Sequence, residues 1–368
     1  MNKRFIWLIS VLVIIILLFS CYFLLKNKKQ EPFSYQDSIN LAGEWFLHNQ
    51  NEEFLYYEYD VKNKTYSENR HALREIASLW SVALLANRTK DKEMIKLQNK
   101  GFSYFERYFE YENNSDFYYI HITDDILLGY SAFLILSLLE MEHPKKAFYL
   151  EKFANSIIAN QNSSGDIKTV FFSDKVESKD YYPGEALFSL MMLYNYKPNP
   201  AYINVAEKAF PYYRDYWRKN KNTAFVPWQS RAYYLLYQLT DNSSLKSQLK
   251  DFVFEINDYM INYHKPKNKE NCSNFDLSRG IVTSVYVEGV LQAYKLAKQL
   301  NDSRELCYKN FILEGCNATL ALQVKDNSYG EKARGGFLGN TNVFTQRVDR
   351  NQHSILAFVE ARDLGLIN

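Results

Sequence analysis

Six segments of the chain carry apolar residues around most of the circumference of a predicted helix. After a more polar first turn, apolar positions follow helical spacing, and small residues such as Ala77, Ala132 and Ala186 are admitted among the large ones. These segments are 70–87, 124–141, 183–196, 227–239, 284–300 and 349–364. The pattern is typical of helices that are buried on several sides.

A more charged, amphipathic segment precedes each of these six, so the chain alternates between two kinds of helix. The amphipathic segments are 34–49, 91–109, 144–161, 201–219, 245–264 and 303–324. The repeat is too long and too irregular for an array of short helical repeats. Six inner helices surrounded by six outer helices would explain both kinds, since only the outer ones keep a solvent face. We therefore predict an all-α fold, an (α/α)6 toroid formed by residues 31–368 as a single domain.

Long segments rich in Phe and Tyr, with strand-like alternation, lead into the inner helices. They are 54–69, 116–123, 167–181 and 330–348, whereas the connections in the other direction are short. The long loops should gather at the end of the ring where the inner helices begin. Elaborated loops on a rigid scaffold are where functional sites are usually found, so we expect the site at this mouth.

The amino-terminal segment 1–30 predicts a membrane anchor. Residues 5–25 are 21 uncharged, mostly apolar positions, about 30 Å as a helix, which matches the hydrocarbon core of a bilayer. Basic residues flank both sides, so orientation follows from the resemblance to an uncleaved secretory signal, which places the body outside the cytoplasm. Lipidation at Cys21, which ends a sequence similar to a lipoprotein cleavage box, is the alternative.

Charge and motif content exclude several classes of protein. Residues 31–368 hold 39 basic and 42 acidic residues, a net charge of −3, which predicts no nucleic-acid partner. Cys272, Cys307 and Cys316 lack zinc-ligand spacing, and no phosphate-binding loop, dinucleotide fingerprint or nucleophile elbow is present. We therefore expect no cofactor and no metal. The sequence allows a disulfide between Cys272 and either Cys307 or Cys316. Cys307 and Cys316 cannot bond each other, because they lie too far apart along one predicted helix.

Four acidic residues at the predicted mouth are candidate catalytic groups. Glu185 follows Tyr182 and Pro183 in the first turn of the third inner helix, and Asp125 opens the second. Glu288 interrupts an otherwise apolar helix, and Asp349 opens the last one. Helix capping and the helix dipole account for acids at such positions without any catalytic role, so both interpretations stay open.

Seven further residues are candidates for binding or orienting a substrate. An Arg on a buried helix needs an anionic partner, in the protein or in a ligand, and a Trp face stacks on the apolar face of a sugar. Asp349 and His353 are four residues apart, so this carboxylate is placed to orient the imidazole. The seven candidates are Arg74, Tyr182, Trp228, Arg231, Arg347, Gln352 and His353.

The six helix pairs and the aromatic-rich mouth resemble the six-hairpin glycosidase-like superfamily of (α/α)6 toroids. The resemblance covers residues 34–368 as architecture, and no member family's complete catalytic signature is present. The superfamily includes glycoside hydrolases, unsaturated-uronate hydrolases, polysaccharide lyases and sugar epimerases. It implies an enzyme that acts on a glycan or small sugar, with paired carboxylates hydrolysing a glycosidic bond. Together with the amino-terminal segment, this predicts a membrane-tethered, extracytoplasmic enzyme. The alternatives are a sugar epimerase, in which His353 or a Tyr moves a proton at a sugar carbon, and a non-catalytic toroid that binds glycan or protein.

Overall fold

The computed structural model of the chain describes residues 33–277 and 280–368. Within them are twelve α-helices, which form six antiparallel hairpins. The outer helices are α1 (Tyr35–His48), α3 (Lys92–Glu106), α5 (Lys146–Ala159), α7 (Pro200–Lys219), α9 (Ser243–Tyr263) and α11 (Glu305–Leu320). The inner helices are α2 (Ala72–Thr89), α4 (Leu128–Glu140), α6 (Tyr182–Tyr196), α8 (Val226–Leu239), α10 (Ile281–Leu300) and α12 (Val348–Asp363).

The inner helices form a closed ring. Each packs against the next one, and α12 packs back against α2. The helix α4 shows how deeply they are enclosed, because every residue from Leu128 to Leu138 is buried. Residues Tyr35–Asn368 form one compact unit. The predicted toroid is therefore confirmed.

Two small antiparallel sheets accompany the helices, so the fold is mostly rather than entirely helical. The strand β1 (Glu58–Asp60) pairs with β2 (Thr65–Tyr66) and with β5 (Thr345–Arg347), which joins the first hairpin to the last. The strands β3 (Phe109–Glu112) and β4 (Phe117–Ile120) form a hairpin between α3 and α4. All five strands lie in segments that lead into inner helices.

The second inner helix begins four residues later than the sequence predicted. The chain is still extended at Leu127, because the backbone around this residue pairs with the loop before α6: Leu128 N–H donates to the carbonyl oxygen of Thr169, and Phe171 N–H donates to that of Ile126. Asp125 therefore lies in a loop and not on the helix. The expectation that Asp125 opens α4 is wrong for this reason.

A disulfide joins Cys272, in the loop before α10, to Cys307 in α11, with a Cα–Cα distance of 5.0 Å. Cys316 is buried and has no disulfide partner among the described residues. This settles the pairing that the sequence left open. The predicted span at residues 5–25 lies outside the described residues, and within the described part of the chain no helix is both long and apolar enough to cross a bilayer.

Candidate active site

A cavity of about 390 Å³ opens at the end of the ring where the inner helices begin. This volume lies in the range of small-molecule sites. Its walls come from the first turns of α2, α6, α8, α10 and α12, from Phe133 of α4 and from the loop before α6. The charged and polar residues of the lining are His71, Arg74, Ser178, Tyr181, Tyr182, Glu185, Tyr286, Arg347, Asp349, Gln352 and His353.

Glu185 lies in the first turn of α6 and is almost completely enclosed. It is 5% exposed, and its Oε2 atom has no hydrogen-bond partner within residues 33–277 and 280–368. Gly129 of α4 provides the room, since a Cβ atom there would lie 2.8 Å from this oxygen. Burial disfavours the charged carboxylate and raises the pKa of Glu185 to about 8. The side chain therefore faces the cavity as a neutral acid at neutral pH, which is the state a general acid needs.

Asp349, in the first turn of α12, is held by two arginines. Arg347 donates from Nε and Nη2 to its two carboxylate oxygens at 3.0 and 2.8 Å. The Nε atom of Arg74 lies 3.3 Å from Oδ2, and Arg74 also donates to the hydroxyl of Tyr57. Both carboxylate oxygens are thus engaged, and the main effect of Asp349 is to fix two guanidinium groups at the cavity wall.

His353 faces the cavity one turn further along α12, and its partner is Glu288 of α10. The Nδ1 atom of His353 lies 2.7 Å from Glu288 Oε1. A carboxylate only accepts hydrogen bonds, so Nδ1 carries a proton, and in the neutral form of the ring this leaves the lone pair on Nε2. The sequence placed Asp349 in this orienting role. That expectation is wrong, because Asp349 accepts hydrogen bonds from Arg347, and the packing of α10 on α12 places Glu288 beside the imidazole.

Gln352 presents a buried amide group whose oxygen and nitrogen both lack a hydrogen-bond partner in the described part of the chain. It lines the cavity, as do Trp228 and Tyr182. The ring of Trp228 lies 6.1 Å from that of His353, and burial raises the pKa of Tyr182 to about 12, so its hydroxyl stays protonated. Unsatisfied donors and acceptors beside an aromatic face suit a polyhydroxylated ligand.

Three of the predicted residues lie outside the cavity lining. Asp125 forms an ion pair with Lys175 on the surface. Glu288 and Arg231 lie deeper along the axis of the ring, where Arg231 Nη2 is 3.0 Å from Glu288 Oε2. Asp125 is therefore not part of the cavity that Glu185 lines. Glu288 contacts the lining residue His353, and Arg231 contacts Glu288.

The sequence did not single out four polar residues of the lining, which are His71, Ser178, Tyr181 and Tyr286. Each is adjacent or close to a selected residue, and His71 directly precedes the first inner helix, which is the signal that would have identified it. Burial, with Arg74 nearby, lowers the pKa of His71. Among the described residues, no group of three or more His, Cys, Asp or Glu side chains is arranged to hold a metal ion.

No protein-family model matches the chain, and no curated protein matches it in sequence. Solved structures do match. A D-mannose isomerase gives a TM-score of 0.63 at 14% identity, covering 90% of this chain and 97% of its own. A GH76 α-mannanase from Bacteroides thetaiotaomicron gives 0.61 at 11%, covering 90% and 96%. A cellobiose 2-epimerase from Spirochaeta thermophila gives 0.60 at 11%, covering 92% and 100%.

These three proteins share the toroid of six helical hairpins. The chain therefore has the six-hairpin glycosidase-like fold that the sequence predicted. At this level of identity the similarity concerns the fold, and the activity has to be argued from the cavity itself.

Proposed function

We propose that the protein is a carbohydrate-active enzyme that isomerises or epimerises a small sugar by moving a proton between the sugar and the cavity wall. The observation that carries the proposal is that a neutral carboxylic acid, Glu185, and an imidazole oriented by a carboxylate, His353, line the same small cavity. An acid and a base with different environments are what a proton transfer at neutral pH requires.

The reaction follows from these two groups. His353 Nε2 removes a proton from the carbon next to the carbonyl of an open-chain sugar, while Glu185 donates its proton to the carbonyl oxygen. The product of this step is an enediol. For the isomer, the imidazolium gives the proton to the former carbonyl carbon, while the hydroxyl on the carbon that was deprotonated gives its proton to the Glu185 carboxylate and becomes the new carbonyl. For the epimer, the enediol turns its other face to His353, the proton returns to the same carbon from that face, and the proton on the original carbonyl oxygen goes back to Glu185. Trp228 and the arginines at Asp349 would hold the sugar through its apolar face and its hydroxyls.

The fold is compatible with this chemistry, since the solved structures that share it include a D-mannose isomerase and a cellobiose 2-epimerase. Glycoside hydrolysis is the second candidate, and the raised pKa of Glu185 favours it specifically, because a protonated carboxyl group is the acid that a glycosidase uses on the leaving oxygen. Asp349 would have to act as the base, and two arginines already occupy its oxygens.

The two candidates are separated by incubating the full-length chain with common aldoses, ketoses and disaccharides in D2O and recording NMR spectra. We expect a new sugar that carries deuterium at the reacting carbon. His353→Gln and Glu185→Gln should each abolish its formation. Glu140→Gln is the matched control, because Glu140 is the last residue of α4, at the other end of the ring, and it should retain full activity.

Release of a reducing end without deuterium on carbon would refute isomerisation and support the hydrolase. Binding of a sugar without any conversion would refute both and leave the non-catalytic toroid. Activity that survives in His353→Gln would show that the base has been assigned wrongly.

We further propose that residues 5–25 tether the chain to a membrane with the single domain of residues 31–368 on the extracytoplasmic side. The uncharged stretch supports the tether. The disulfide between Cys272 and Cys307 supports the oxidising side, because disulfides persist mainly outside the cytosol. Protease treatment of intact cells should remove the domain, and its complete protection would contradict this orientation.

A further inference from the structure

A chain of charged groups runs along the axis of the ring, away from the cavity. It starts at His353 and Glu288, and Arg231 Nη2 then bridges Glu288 Oε2 at 3.0 Å and Glu360 Oε2 at 3.1 Å. Lys295 and Gln292 donate to the other oxygen of Glu360 at 2.8 and 2.7 Å. This series of charged groups therefore extends beyond Glu288, whose carboxylate contacts the imidazole of His353.

The sequence spacing explains why these groups are aligned. Glu360 follows His353 by seven residues on α12, and Lys295 follows Glu288 by seven residues on α10. Seven residues are about two helical turns, or roughly 10 Å, so each pair shares one face of its helix. Arg231 of α8 lies between the level of Glu288 and the level of Glu360, and it contacts both carboxylates.

The surroundings of Arg231 allow its charge to act on the imidazole of His353 across the carboxylate of Glu288. Its side chain is 4% exposed, and its guanidinium carbon lies 5.2–5.6 Å from the ring centres of Trp80, Phe188 and Trp228. Aromatic walls exclude water and weaken dielectric screening. The loss of one charge here would therefore be felt at the imidazole.

We propose that Arg231 and Glu360 are positioning residues for His353, acting through Glu288. Arg231 holds one carboxylate oxygen of Glu288, so the other oxygen stays directed at Nδ1 of the imidazole. Glu360 balances the charge of Arg231 and fixes its guanidinium group. The role of His353 as the base rests on the proposed function, but the effect on its protonation does not.

The charges of these groups predict in which direction each substitution shifts the protonation of His353. The two positive charges of Arg231 and Lys295 balance the two negative charges of Glu288 and Glu360, so these four side chains have no net charge. Removal of Arg231 leaves a net negative charge, which favours the imidazolium form. Removal of the negative charge of Glu360 leaves a net positive charge, which disfavours it.

Other charged groups near the imidazole stay the same in both variants. They are Glu185 of α6, Arg74 and His71 of α2, Arg347 before α12 and Asp349 of α12.

The test is an NMR titration of the histidine ring nitrogens in the full-length chain, which needs no substrate. The chain has six histidines, and the His353 signal is assigned by its loss in His353→Gln. We expect Arg231→Met to raise the titration midpoint of His353 and Glu360→Gln to lower it, each by about one pH unit. Arg231→Lys, which keeps the charge, should restore most of the midpoint.

Asp363→Asn is the matched control, since Asp363 lies at the same end of α12 in an exposed pair with Arg88, and it should leave the midpoint unchanged. If Arg231→Met does not fold, the downward shift in Glu360→Gln still decides the question. Equal midpoints in Glu360→Gln and the unchanged protein, or shifts of the same sign in both variants, would overturn the inference. A failure of the proposed reaction would instead appear as absent deuterium incorporation with the signed shifts intact.

Discussion

The buried acid Glu185 makes the stability of the protein depend on pH in an unusual direction. Its pKa in the folded protein is about 8, against the ordinary value of 4.5. In the unfolded chain the carboxyl group loses its proton as the pH passes 4.5, while in the folded protein it keeps the proton up to about pH 8. The unfolded state therefore binds fewer protons in this window, and the contribution of Glu185 to stability falls as the pH rises.

The size of the effect follows from the shift. Each unit corresponds to about 1.4 kcal/mol, so the penalty is about 3 kcal/mol at pH 7 and levels off at about 5 kcal/mol above pH 8. Glu185→Gln replaces the acid by a neutral group of nearly the same shape. We expect this variant to match the unchanged protein in stability below pH 4.5 and to exceed it by about 3 kcal/mol at pH 7, while losing activity.

The assay is urea unfolding at a series of pH values between 4 and 8.5, followed by tryptophan fluorescence. Glu68→Gln is the control, because Glu68 is exposed and its replacement should leave the pH dependence as it was. Parallel pH profiles for Glu185→Gln and the unchanged protein would refute the reasoning. A variant that is less stable at every pH would show that Glu185 is part of a structural network.

Three further predictions concern other parts of the structure. Asp349→Asn should lower the free energy of unfolding by about 1–3 kcal/mol in urea titrations, because two arginines lose their carboxylate partner; an unchanged value would show that solvent already screens the cluster. Gly129→Ala should cost about 1–3 kcal/mol in the same assay, because the new Cβ would lie 2.8 Å from Glu185 Oε2, and a neutral result would mean that α4 shifts freely. Replacing Cys272 and Cys307 together by Ser should remove up to about 4 kcal/mol, since the bridge spans 35 residues, and calorimetry that finds no change in Tm would argue that the bridge is absent.

Much of the fold was predictable because helical burial is a local property of the sequence. The apolar stretch of α4 and the alternation with charged helices both follow from the spacing of side chains. The bounds were less predictable where tertiary contacts decide them. Asp125 lies in a loop because residues 126–128 pair with 169–171, and nothing near Asp125 in the sequence reports that pairing.

The candidate site was predictable to the extent that each residue lies at the start of an inner helix. Glu185, Gln352 and His353 line the cavity for that reason. The partners were not predictable, because they come from other hairpins. His353 is four residues from Asp349 but bonds to Glu288, which is 65 residues away, and only the register of α10 against α12 determines that choice.

The pairing of β1 with β5 has a consequence for how the protein is made. Glu58 lies opposite Arg347, and Trp45 donates to Gln346 across 301 residues at 2.8 Å. During synthesis, almost the entire chain must therefore be made before the last hairpin can pack against the first one. Until then, the flank of α2 that later packs against α12 remains uncovered. Contacts this distant in sequence slow folding and prolong the exposure of apolar surface, so we expect newly made chains to be prone to aggregation until the final hairpin closes the ring.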